Sequence, residues 1–133
     1  RVELQEDTEL SVEVAAYHIH FFTPEYDELL DWYIETFGLV RFKRGTIETT
    51  ANAPGLNLSF GNSETSRTAT SGTAIDHIGF EIDDLEAFCR KLESQGIEFE
   101  VPFRDVPSIG LKIAFLIDPA GVRVELTEGY DEY

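Results

Sequence analysis

The chain holds three histidines, His18, His20 and His77. Two of them open segments that repeat. His18-Ile19-His20-Phe21 is followed downstream by Gly38-Leu39-Val40-Arg41-Phe42, and His77-Ile78-Gly79-Phe80 by Gly96-Ile97-Glu98-Phe99, at nearly the same histidine-to-glycine spacing. Imidazoles at matched positions of a repeat, joined by one carboxylate on a rigid strand, suit a borderline divalent ion and leave coordination positions open for water or substrate. Glu125 is the carboxylate the pattern offers, and Asn57 is a neutral fourth candidate of low affinity.

Alternation decides which of these side chains share a surface, because strand residues two apart point to the same face. Ile78, Phe80 and Ile82 are apolar and leave His77, Gly79 and Glu81 opposite. Val122, Val124 and Leu126 leave Arg123, Glu125 and Thr127; Leu56, Leu58 and Phe60 leave Asn57 and Ser59; Ile19 and Phe21 leave His18 and His20. All three histidines are therefore expected on helix-distal strand faces with Glu125, Glu81 and Asn57, in one polar concave site. His20 has no counterpart, since the repeat places Gly79 there; it is a candidate base, beside Glu81, or an alternative ligand. Tyr17, Phe22, Phe103 and Phe115 read as core. Cys89 reads as inert packing, and Arg104, Lys112 and Arg123 as the cations placed to meet an anionic substrate.

The elements that must position these residues follow from periodicity. Tyr26, Leu29, Leu30, Tyr33 and Phe37 recur at helical spacing in the first copy, as do Leu85, Phe88, Cys89 and Leu92 in the second. Thr23-Pro24 is expected to start the first helix, Asp83 with Glu86 to form a capping box, and Gly38 and Gly96 to end the two helices in the left-handed conformation. Period-two runs at 17–22, 56–60, 76–82, 111–117 and 122–126, with weaker ones at 39–43, 46–50 and 97–101, predict strands. Asp118-Pro119-Ala120-Gly121 is a turn, 66–73 a linker, and the acidic stretch 1–13 a loose arm or an added edge strand. Each copy thus reads β-α-β-β-β, giving an α+β fold of one domain over 1–133, with a first module at 15–61 and a second at 74–129.

Ile75-Asp76-His77-Ile78-Gly79-Phe80-Glu81-Ile82-Asp83-Asp84-Leu85 resembles the metal-histidine strand and following helix of the vicinal-oxygen-chelate superfamily, the glyoxalase, bleomycin-resistance and extradiol-dioxygenase relatives. Asp118-Pro119-Ala120-Gly121-Val122-Arg123-Val124-Glu125-Leu126 resembles its closing hairpin, with Glu125 at the ligand position. The resemblance, over residues 15–129, implies two βαβββ modules in a cupped mixed sheet around a divalent ion, Zn, Ni, Mn or Fe. It sets His18 at the first-module histidine and Asn57 at that module's second ligand position, where glyoxalase I carries Glu and acyl-CoA epimerases commonly carry Gln. Alignment on Gly55 and Gly121 instead pairs Asn57 with Arg123. What remains, His18, His77 and Glu125, resembles the facial triad of the extradiol members. Two function classes follow: a metal-dependent lyase, isomerase or extradiol-type dioxygenase acting on a small oxygen-chelating substrate, and a ligand-sequestering protein of the bleomycin-resistance type without chemistry.

Composition narrows the partners. With 26 acidic against 10 basic side chains, a formal charge of -16 disfavours nucleic acid and anionic membrane surfaces. No apolar run is long enough to span a bilayer. A start at Arg1 and the lack of Met are expected of a trimmed product, so the compartment stays open: cytoplasmic by default, periplasmic or secreted if an export signal was removed. A homodimer is expected, as a way to cover sheet edges. Glycine-rich phosphate loops, His-Glu-x-x-His, Cys-x-x-Cys and Gly-x-Ser-x-Gly are missing, which sets aside nucleotide, zinc-protease and serine-hydrolase readings.

Overall fold

Apolar residues at strand and helix spacing build the same unit twice. The computed structural model describes residues 2–130. The first unit runs β1 (His18–Thr23), α1 (Tyr26–Phe37), β2 (Val40–Arg44), β3 (Ile47–Ala53) and β4 (Leu56–Asn62). The second runs β5 (His77–Glu81), α2 (Leu85–Ser94), β6 (Phe99–Val106), β7 (Leu111–Ile117) and β8 (Arg123–Glu128). Each forms a four-stranded mixed sheet, in the orders β1-β4-β3-β2 and β5-β8-β7-β6, with the first and last strands of each unit paired in parallel. No described helix is long and apolar enough to cross a membrane. Residues 2–16 carry no strand, so of the two expectations for the acidic stretch the added edge strand is not formed there.

Helix ends follow local chemistry with small shifts from the sequence reading. The first helix begins after Glu25, which makes no side-chain cap, and the hydroxyl of Thr23 donates to the Glu25 carboxylate instead. Asp84, one residue beyond the expected cap, accepts the amide of Ala87. Gly96, at φ 85°, closes the second helix with a Schellman pair, its amide donating to Glu93 and that of Ile97 to Leu92. Pro102 is tolerated in β6 because that strand is an edge, and the register with β7 shifts between Val101 and Arg104, the stretch that contains it.

Packing decides how the two units meet. One core cluster gathers Phe21, Leu29, Leu30, Tyr33, Leu58 and Phe60, the other Leu85, Cys89, Leu92, Leu116, Val124 and Leu126. Trp32 and Phe37 of α1 and Ile78 and Phe80 of β5 pack against both clusters. Phe37 stacks on Phe80 with ring centroids 4.7 Å apart. The helix-side faces of both sheets therefore look into one shared interior. Their polar faces look away from it.

A second lock ties α1 to the β7–β8 turn. The hydroxyl of the fully buried Tyr33 donates to Oδ2 of Asp118 at 2.9 Å, while Oδ1 accepts the amides of Ala120 and Val122. Burial pushes the Asp118 carboxyl above the usual carboxylate range and the Tyr33 phenol well above its own.

Candidate metal centre

The second sheet supplies a two-residue donor set. In the parallel pairing of β5 with β8, His77 lies opposite Arg123 and Gly79 opposite Glu125. Because Gly79 has no side chain, the imidazole of His77 and the carboxylate of Glu125 meet across it, Nε2 to Oε2 at 3.1 Å. Behind the ring, Nδ1 of His77 lies 2.9 Å from Oδ1 of Asp76. Asp76 is held in turn by the amide of Gly72 at 2.5 Å and by Arg123 at 3.0 Å. The Gly72 amide first, then His77 and Arg123, hold the Asp76 carboxyl far below the usual carboxylate range. An anionic Asp76 accepts a hydrogen bond from Nδ1–H, which leaves Nε2 as the nitrogen aimed at Glu125. Two acceptors facing one another at 3.1 Å call for a proton or a cation between them.

Arg123 and Phe115 complete this face. The guanidinium also donates to Glu100 at 2.6 Å and lies over the Phe115 ring at 4.0 Å, and that ring meets His77 edge-on at 5.7 Å. Phe115 therefore lines the polar face rather than the core clusters. Its exposure of 8% reflects cover by these two neighbours. Arg123 spends its donors on Asp76 and Glu100, and Lys112 pairs with Glu128, so both of these cations are already paired with carboxylates.

The first sheet supplies a different set. His18 lies opposite Asn57 and His20 opposite Ser59. Comparison of the two parallel pairings settles the counterpart left open above: Asn57 corresponds to Arg123, and the counterpart of Glu125 is Ser59. The signal was in the sequence, since Gly55 and Gly121, both at positive φ, each precede the relevant residue by two. Asn57 is buried, its Nδ2 donating to Oδ1 of Asn52 at 2.8 Å and its Oδ1 accepting the Ser59 hydroxyl at 2.9 Å. His18 has Glu3 of the N-terminal segment 3.4 Å from its Nε2.

His20 faces a residue that sequence reading passed over. An N–H of Arg44 donates to its Nε2 at 2.9 Å, which requires that nitrogen to be unprotonated. Burial first, then the neighbouring His18 and Arg44, lower the His20 pKa below its ordinary value. Along β1 and the residue just before it, the rings of Tyr17, His18, His20 and Phe22 form a file with successive centroids 5.3, 4.9 and 5.4 Å apart. Tyr17 and Phe22 are about half exposed there, not core. Glu81 is elsewhere occupied: its oxygens accept the Thr127 hydroxyl and the amides of Gly129 and Tyr130.

The chain thus brings His77 and Glu125 together and keeps His18, His20 and Asn57 on the other sheet. Among the described residues no three His, Cys, Asp or Glu side chains converge closely enough to hold a metal ion. The pair does fit one: an imidazole nitrogen and a carboxylate oxygen 3.1 Å apart are spaced as neighbouring ligands with bonds of about 2.1 Å. The Asp76 carboxylate behind the imidazole is the support a ligand histidine commonly has.

Known proteins share this architecture. SMU.1112c is 25% identical, with 88% of this chain and 100% of that one covered at a TM-score of 0.69. A glyoxalase/bleomycin resistance protein/dioxygenase from Alicyclobacillus acidocaldarius is 19% identical, with 92% and 97% covered and a TM-score of 0.64. Lactoylglutathione lyase from Agrobacterium tumefaciens is 21% identical, with 90% and 96% covered and a TM-score of 0.62. No curated protein matches. The family model of the glyoxalase/bleomycin resistance protein/dioxygenase superfamily matches residues 16–126, with both polar strand faces inside the match, and the chain belongs to that superfamily.

Proposed function

We propose that this is a divalent-metal-dependent, glyoxalase-like enzyme whose site assembles between two copies of the chain. His77 and Glu125 of one copy would hold the ion together with His18 of the other, with Asn57 beside it. The observation that carries the reading is the His77–Glu125 pair at 3.1 Å, backed by Asp76. The need for a second copy follows from packing: with both helix-side faces turned into one interior, His18 cannot join that pair within one chain. A homodimer related by a two-fold axis lays the face of one sheet against the other sheet of its partner, twice.

Bound there, a divalent ion such as Zn, Ni, Mn or Fe would supply Lewis acidity toward two neighbouring oxygens of a small substrate. The protein's own contribution is orientation and proton handling. Asp76 fixes the His77 tautomer, and His20, kept neutral, is the group suited to accept a substrate proton. Glu81 is the weaker candidate base, because three hydrogen bonds occupy its carboxylate and stabilise its ionised form. A lyase or isomerase reaction and an extradiol-type oxygenation both use this set. Ser59 in the place corresponding to Glu125 leaves the first module without a ligand carboxylate, which favours the second.

The competing reading is a sequestering cup of the bleomycin-resistance type, favoured by the half-exposed Tyr17, Phe22 and Phe42 and by the charge of -16. Elemental analysis of protein purified without chelator or added metal separates the two. Complementation tests the shared site: His18→Ala and His77→Ala chains each bind no Zn(II) alone, while a mixed dimer regains one intact site. Mixtures that recover no Zn(II) binding would reject a site built across two copies.

A further inference from the structure

Arg44 differs from the cations that carry an ion pair. Arg41, Lys43, Arg90, Lys112 and Arg123 are each paired with a carboxylate. In a chain with 26 acids, Arg44 instead contacts the imidazole of His20 at 2.9 Å and the ring of Tyr17, 5.7 Å from its centroid. Its Nε–H is the one buried side-chain polar atom among the described residues without a hydrogen-bond partner. A buried donor without a partner is costly, and an acceptor that reaches it removes that cost. A register shift in β2 between Phe42 and Arg44, just before the Gly45 turn, breaks the regular alternation and aims this side chain across the sheet to β1.

We propose that Arg44 anchors the oxyanion of a small acidic substrate on the sheet face that carries His18 and His20. The inference rests on the enzymatic reading above and names its substrate class: a compact, partly apolar molecule bearing a carboxylate or a phosphate. A planar fork of N–H donors matches the two oxygens of such a group, and a charge-assisted pair of bonds outcompetes the single bond to a neutral imidazole. The aromatic file of Tyr17 and Phe22 supplies apolar surface for the rest of the molecule. Capture of the oxyanion also withdraws the Arg44 N–H from His20. A cationic ligand, which the sequestration reading requires, would be repelled at this spot.

The test uses full-length, metal-free protein, so that no ion contributes to anion binding. Benzoate, phenyl phosphate and the neutral benzyl alcohol are titrated while the Arg44 Nε–H resonance is followed by NMR. Benzoate or phenyl phosphate should shift that resonance, and the tighter of the two names the acidic group. Affinity should fall about tenfold or more in Arg44→Met, through loss of a charge-assisted bond pair, and less in Arg44→Lys, which keeps the charge without the fork. Equal binding of benzyl alcohol, unchanged affinity in Arg44→Met, or no binding of either anion would overturn the anchor. Zn(II) affinity measured on the same samples keeps the two readings apart. Arg44-dependent anion binding in a chain that takes up no Zn(II) removes the metal reading alone; intact Zn(II) binding without anion binding removes the anchor alone.

Discussion

Oδ1 of Asp76 lies 2.9 Å from Nδ1 of His77, on the side of the ring opposite Glu125. The contact fixes which imidazole nitrogen carries the proton, and so turns a surface histidine into an aimed donor. Asp76→Ala should therefore lower Zn(II) affinity by about 10- to 100-fold, the usual range for loss of such support. Thermal stability should change little, since Asp76 lies outside both core clusters. Competition titration with a chelating dye reads the affinity. An Asp76→Ala chain with unaltered affinity would show that the ring is held by other means.

Tyr33→Phe should destabilise the fold by about 1–3 kcal/mol, because it strips the hydroxyl from a buried carboxylate and leaves Oδ2 of Asp118 unpaired. The lock joins α1 of the first unit to the β7–β8 turn of the second, so both units should melt together in wild type. Denaturant unfolding followed by Trp32 fluorescence measures the loss. A stability within error of wild type would mean that water replaces the hydroxyl at no cost.

The direction in which strand residues face was legible in the sequence; the direction in which the sheets face was not. Parity placed His77 and Glu125 together, and His18 with Asn57, because a two-residue period is a local property of each strand. Whether the two polar faces join depends on Trp32, Phe37, Ile78 and Phe80, whose burial draws both helix-side faces into one interior. No spacing encodes that choice, since the same apolar pattern packs edge to edge or helix side to helix side. Of the two alignments the sequence allows, the one on the turn glycines Gly55 and Gly121 holds, and it carries Ser59 to the place of Glu125; alignment on ligand type hides that correspondence. Arg44 was missed because the register shift in β2 breaks the alternation that located everything else.

Glu81→Gln should flatten the dependence of stability on pH at the acid end. Burial alone would raise the Glu81 pKa, but bonds from the Thr127 hydroxyl and the Tyr130 and Gly129 amides outweigh it, and the net shift is downward. A carboxylate with a depressed folded-state pKa contributes stability above its unfolded value of about 4.3, and that contribution is lost as pH falls through the folded value. Melting curves between about pH 3 and pH 7 should show wild type losing more stability than Glu81→Gln over that window. Parallel curves for the two proteins would contradict the shift.

Cys89 should resist thiol reagents in the native state. It is 2% exposed within the second core cluster, and burial pushes its thiol up to about 11, so little thiolate exists near neutrality. Labelling with a disulfide reagent should proceed at the rate of global or local opening and become fast in denaturant. Rapid modification of folded protein would show that α2 opens on its own.

The metal centre yields the most direct comparison. Among the described residues His77 and Glu125 supply the only close imidazole–carboxylate pair that also has a carboxylate behind the ring, so His77→Ala should abolish tight Zn(II) binding. Glu125→Gln should weaken it, since the amide keeps an oxygen donor but loses the charge. Glu93→Ala, on the exposed side of α2, removes an equal charge at a site with no role in coordination and should leave affinity unchanged. That control matters in a protein of charge -16, where a cation is attracted by the whole surface and any lost carboxylate trims the attraction slightly. Salt separates the contributions further: about 0.5 M NaCl screens the general field strongly but leaves direct coordination in place. A ligand imidazole must also be deprotonated, so affinity should fall as pH is lowered. Equal Zn(II) affinities for His77→Ala and Glu93→Ala at high salt would mean that no such centre forms.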